Sequence, residues 1–211
     1  MWQHLFSIGL VKTSEDFGLQ GELPSHPELL DWLAVEFMES GWDVKKLYRL
    51  IVTSDTFKQS SKSNSILNER DPENRLLSPR PRPRMAGLAP RDMALHASGI
   101  LNSKLGGAPV KPYQPDGLWE AIAANKGTRY KPSTGENLYR KSMYSYWKRA
   151  VAPPRQLIFD GSGREICNVR HNITNTPLQA LALMNDVTFV ESARHLAERM
   201  IKESPEAPLA Y

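Results

Sequence analysis

The stretch S-H-P-E-L-L-D-W-L-A-V-E-F-M-E-S-G-W-D-V-K-K-L-Y-R-L-I-V-T, Ser25 to Thr53, decides the fold class. Leu29, Leu30, Leu33 and Phe37 recur at helical spacing, with Trp32 beside them. Ser25 followed by Glu28 has the form of a capping box, with Pro27 in the first turn. Gly41 stands where a helix ends in a left-handed residue. Asp43 then opens a second helix, whose apolar positions are Val44, Leu47, Leu50 and Ile51. So short a turn between two amphipathic helices predicts a helix pair and a mainly helical protein.

Reading outward keeps the helical theme. Met1 to Phe6 reads as a helical segment with Trp2, Leu5 and Phe6 on one face, ended near Gly9. It has neither the basic start nor the long apolar run of a signal peptide. Because that helix begins without a cap, and the other end trails into Ser204-Pro205-Glu206-Ala207-Pro208, the expectation is a piece of a longer chain, cut at both ends. Residues 55–90 lose the apolar period. They include a polar run from Gln59 to Ser65 and the alternation Pro79-Arg80-Pro81-Arg82-Pro83-Arg84, which disfavours regular helix.

Further helices are expected from about Pro90 to Leu101 and from Leu118 to Ala124. Two more follow: one opened by the capping box Thr176-Pro177-Leu178-Gln179, the other capped by Asp186. The last should run through Phe189 to Lys202 with Val190, Ala193, Ala197 and Met200 inward. Leu138 to Arg149, rich in aromatic residues, reads as a strand, with Gln156–Phe159 and Ile166–Val169 as short partners. The expected architecture is mainly α: one helical bundle-like domain over 1–211, with a small antiparallel β element and an irregular Pro/Arg-rich segment.

Composition bounds the function. The 211 residues are 40% hydrophobic and 24% charged, the balance of a folded soluble chain. No apolar run approaches the roughly 20 residues of a membrane span. A net charge of +4 is a weak signal for nucleic acid. The basic neighbourhood of Lys58, Lys62, Arg80, Arg82 and Arg84 is drawn out by prolines, which suits a solvated linker or an acidic partner better.

The one cysteine excludes an internal disulfide and the Cys-x-x-Cys-His attachment of covalent haem. Cys167 near His171 and Asp160 admits a nucleophile pair, but burial beside Val169 is the simpler expectation, with slow thiol chemistry. His26, Glu28 and Asp31 sit where acids favour a helix start, and i, i+2 residues diverge on a helix, so a metal is not expected. His4, His96 and His195 are isolated and read as surface or packing residues.

The richest candidate for a ligand surface is aromatic: Tyr113, Trp119, Tyr139, Tyr144, Tyr146 and Trp147, with Asp116 and Glu120. Ring faces pack on sugar C–H groups while charged side chains meet hydroxyls. The same rings could instead form core. An alternative is a polysaccharide hydrolase drawing two acids from Asp116, Glu120, Asp160 and Glu165. Such chemistry needs the pair about 5 to 9.5 Å apart. Catalytic residues stay unassigned.

Six collinear stretches carry a family resemblance: F-G-L-Q-G-E-L-P-S-H-P-E-L-L-D-W-L-A (17–34), G-W-D-V-K-K-L-Y-R-L-I-V-T-S (41–54), D-P-E-N-R-L-L (71–77), K-P-Y-Q-P-D-G-L-W-E (111–120), L-Y-R-K-S-M-Y-S-Y-W-K-R (138–149) and T-N-T-P-L-Q-A-L (174–181). Together the chain resembles the planctomycete-type C-terminal domain of unknown function, unknown-function family 1553. The resemblance implies a setting downstream of a planctomycete-type cytochrome c domain in a long exported or periplasmic protein. It implies no cofactor on this chain, with haem on an upstream domain of a full-length relative. Its implied partners are other domains of that chain or a companion protein; a glycan is what the aromatic residues alone suggest.

Overall fold

The computed structural model describes residues 1–122, 129–148, 150–164, 167, 169 and 173–204. The chain is mainly helical and divides into two compact units, Met1–Arg84 and Met85–Tyr211, at the end of the Pro/Arg alternation.

The first unit contains α1 (Trp2–Phe6), α2 (Pro27–Glu39), α3 (Val44–Thr53), α4 (Asp55–Lys58) and α5 (Ser65–Arg70). Its core is Phe6, Ile51 and Leu77, with Trp2, Leu5, Leu33, Leu47 and Phe57 packed around them. Trp2 stacks on Phe6 at 4.2 Å between centroids, and Phe57 meets Phe6 edge-on at 5.9 Å. The expected apolar face of α1 is therefore the face it docks, although Ser7, not Gly9, takes the left-handed position that ends it.

Asp43 caps α3 by accepting from the backbone N–H groups of Lys45 and Lys46. The Ser25 capping box does not form. Ser25 Oγ donates to the Leu10 carbonyl, His26 occupies the N-cap without a side-chain bond, and Pro27 begins α2. The serine is committed to holding the loop before the helix. No residue of α2 is buried: Leu33 packs on the core while Trp32 stays half exposed. Asn64 caps the short α5, an element that the polar composition of this stretch concealed.

The second unit contains α6 (Ala89–Ala97), α7 (Leu118–Ile122), α8 (Pro154–Ile158), α9 (Pro177–Asn185) and α10 (Val187–Glu203), with 3-10 turns at Gly135–Tyr139 and Ser142–Tyr144. Helix α10 packs on α6 and α9, and α8 packs on α9. Thr176 and Gln179 form the expected reciprocal capping box.

The expected antiparallel β element is not formed among the described residues. Residues 135–148 hold the two 3-10 turns and isolated bridges, of which Asn102 to Arg140 and Val110 to Ser145 are parallel and Lys148 to Val151 antiparallel. Side chains have taken the groups that a strand partner would use. Arg91 donates to the carbonyls of Arg140 and Leu138, and Asp92 accepts from the Ser142 N–H. Gln156–Phe159 lies in and just after α8 rather than in a strand. The third expected strand rests on Ile166 and Asn168, which lie outside the described residues.

Helix α10 is rotated from the expected phase. Thr188, Phe189 and Ser192 are buried, whereas Val190, Ala193, Ala197 and Met200 are exposed. Two anchors set this rotation: Phe159 packs edge-on against Phe189 at 5.8 Å, and Asp186 at the N-cap is paired with Arg155.

Candidate functional site

A cavity of about 80 Å³ opens within the second unit, among α6, α7, α8, the start of α10 and the irregular segments between them. Gly117, at φ +76°, turns the chain from Lys111-Pro112-Tyr113-Gln114 into α7 and so places Trp119 on the wall. Pro154 opens α8 and is followed by Arg155, also on the wall. Arg91 comes from the inner face of α6.

Trp119 is only 4% exposed and centres an aromatic cluster, 5.2 Å from Tyr130 and 5.7 Å from Tyr146 by ring centroids. Lys111 Nζ lies 5.4 to 5.9 Å from the centroids of all three rings, and Lys148 Nζ lies 4.9 Å from Trp119. Tyr130 donates its hydroxyl to the Pro112 carbonyl. Burial pushes its pKa up to about 12, opposed by the nearby Arg155 and Arg91.

The two arginines are held differently. Arg155 makes a forked bond to Asp186, with Nε to Oδ2 at 3.0 Å and Nη2 to Oδ1 at 2.7 Å, and reaches the Tyr113 carbonyl. Arg91, 4% exposed, donates only to neutral acceptors: the carbonyls of Arg140 and Leu138 and the Ser142 hydroxyl. Burial, then the like charge of Arg155, lowers its pKa to about 10, against the pull of Asp92 and Asp186. Among the described residues, Trp119 Nε1, Gln114 Nε2 and Arg91 Nε are buried without a hydrogen-bond partner.

Of the residues singled out in the sequence, Tyr113, Trp119 and Tyr146 share this cavity. Tyr144 is elsewhere, with the Arg140 guanidinium 4.1 Å over its ring and its hydroxyl accepting from the Gly106 N–H. Trp147 lies under Arg164, and Tyr139 donates to Glu191. Asp116 is exposed and does not line the cavity. Glu120 belongs to α7, but its side chain is outside the described set. Asp160 accepts from the Thr174 N–H and hydroxyl and from Gln179. Glu165 and His171 are outside the described residues.

Cys167 is exposed, and Val169 is 68% exposed, so the expected burial of this pair is corrected. No group of three or more His, Cys, Asp or Glu side chains that could hold a metal occurs among the described residues. Nor is any described helix long and apolar enough to cross a membrane.

Sequence reasoning missed Arg91, Gln114, Tyr130 and Arg155 as site residues, and saw Asp186 only as a cap. Arg91 did leave a signal: it precedes the fully buried Leu95 by four positions, so a cation stands on the inward stripe of α6.

A family model described as "PSD1: Protein of unknown function (DUF1553)" matches residues 1–210. The chain belongs to that family. Comparison with curated proteins and with solved structures gives no match.

Proposed function

We propose that this chain is a non-catalytic recognition module whose cavity beside Trp119 binds one unit of a glycan. The observation that carries this reading is the pairing of an aromatic wall, Tyr113, Trp119, Tyr130 and Tyr146, with buried donors that have no partner in the protein. A volume of about 80 Å³ suits one polar arm of a sugar rather than a whole ring, since ligand pockets typically span about 300 to 1,000 Å³. The ring itself would lie on the exposed part of Tyr146, which is 37% exposed. Trp119 is not the stacking platform, because it is buried and two lysines crowd it.

In this reading the module serves a longer exported chain linked to a cytochrome domain. It docks beside other domains or on a companion protein, and haem chemistry belongs elsewhere. The alternative, a hydrolase, gains no specific support: Asp116 is exposed away from the cavity and Asp160 is engaged by Thr174 and Gln179.

The test is titration with a panel of oligosaccharides, followed by calorimetry. At least one class should bind, and Tyr146→Ala should weaken it about tenfold by removing a stacking ring. A panel in which nothing binds, or binding indifferent to Tyr146→Ala, would overturn the proposal.

A further inference from the structure

We infer that the arm entering the cavity is a carboxylate, so that the ligand is a glycan bearing uronic acid units. The inference rests on the recognition reading above and adds the chemistry that the cavity selects.

All three unpartnered groups around the cavity are donors: Trp119 Nε1, Gln114 Nε2 and Arg91 Nε. Trp119 and Arg91 are each 96% buried by their 4% exposure, so these are not surface groups that water satisfies at no cost. An indole N–H can only donate, and so can a guanidinium. The complementary ligand atom must therefore accept, and a carboxylate brings two acceptor oxygens on one small flat group.

Charge points the same way. Arg91 and Arg155 both line the cavity, while Asp186 is the single carboxylate that does among the described residues. Asp186 is already bound on both oxygens by Arg155 and also accepts from the Thr188 N–H. Asp92 stands 3.6 Å from Arg91 Nη1 but receives the Ser142 N–H on the same oxygen. Lys111 and Lys148 add two further cations around Trp119. A neutral sugar would leave the excess of Arg91, Arg155, Lys111 and Lys148 over Asp92 and Asp186 uncompensated, whereas an anion offsets it in a low-dielectric setting. Burial, and after it the like charge of Arg155, lowers the Arg91 pKa against Asp92 and Asp186.

The experiment compares matched ligands that differ only in charge. Oligogalacturonides, oligomannuronates and oligoglucuronates are each titrated into the full chain beside their methyl esters, which keep the ring and lose the anion. At least one free acid should bind about tenfold or more tightly than its ester, the strength of a charge-assisted hydrogen bond. Trp119→Phe, which keeps an aromatic ring and deletes the N–H, should remove most of that advantage. Gln114→Leu, on a less buried residue, gives the same readout should the tryptophan variant fold poorly.

Equal binding of acid and ester overturns the inference and leaves the glycan reading standing. Tighter binding of a sulfated oligosaccharide than of any uronate also overturns it, in favour of a sulfate ester. Failure of every acid, ester and neutral sugar defeats both readings. Acetate binding alone, lost in Trp119→Phe while no oligosaccharide binds, reassigns the cavity to small free acids and overturns the uronate.

Discussion

Between Met1 and Arg84 the buried side chains are Phe6, Leu10, Ile51 and Leu77, and among the described residues no polar one joins them. Between Met85 and Ser204, buried Leu95, Val110, Trp119, Val151, Phe159 and Phe189 share the interior with Arg91, Ser98, Arg140, Ser142, Ser145, Gln156, Gln179, Thr188 and Ser192. The difference lies in how deeply the side-chain donors sit: in the first unit Gln59, Asn74 and Arg75 reach carbonyls from part-buried positions. Helices satisfy their own carbonyls, so an apolar cluster is enough to hold them. The second unit has long irregular stretches whose carbonyls have no ladder to enter, and side-chain donors reach them instead. Arg140 alone donates to the carbonyls of Lys104, Gly106 and Ala108.

The comparison fails most visibly if Arg140 turns out to be dispensable. Arg140→Met should cost about 4 kcal/mol, because it strands three part-buried carbonyls that a charged donor had served. Arg140→Lys should recover less than half, since an ammonium lacks the planar fork. Chemical denaturation measures both. A loss below about 1 kcal/mol would mean that water replaces the guanidinium and that polar stitching is not what holds the second unit.

Phe6→Ala probes the opposite mechanism. Removing a ring that is 2% exposed and packed by Trp2 and Phe57 should cost about 3 kcal/mol. Amide exchange should quicken in α1, α3 and α4. If exchange there is unchanged, the apolar cluster is not the anchor of the first unit.

The smallest effect should be the same in both regions. Asp43→Ala and Thr176→Ala each remove one helix cap and should each cost about 1 kcal/mol in a thermal melt. Caps act locally, so a large difference between the two would show that tertiary context reaches even the helix ends.

What was legible in the sequence was of this local kind. Asp43, Thr176 with Gln179, and Asp186 announce their helices because each bonds within three residues of itself. The rotation of α10 and the conformation of residues 138–148 were not legible, because distant groups set them. Arg91 bonds to Arg140 across 49 positions, and Arg155 to Asp186 across 31. Aromatic content made residues 138–149 look like a strand, yet the arginine donors displaced the ladder. The candidate site divides the same way. Tyr113, Trp119 and Tyr146 stand out by residue type, while Arg91, Gln114 and Arg155 acquire their place only through folding.

Asp186 holds two offices with one carboxylate: it caps α10 through the Thr188 N–H and neutralises Arg155 on the cavity wall. Asparagine is as good an N-cap as aspartate but carries no charge. Asp186→Asn would therefore keep the helix start while leaving Arg155 a cation held by the Tyr113 carbonyl and no carboxylate. A single conservative exchange at a helix boundary thus trades one of the two anchors that fix the rotation of α10 for a more positive recess.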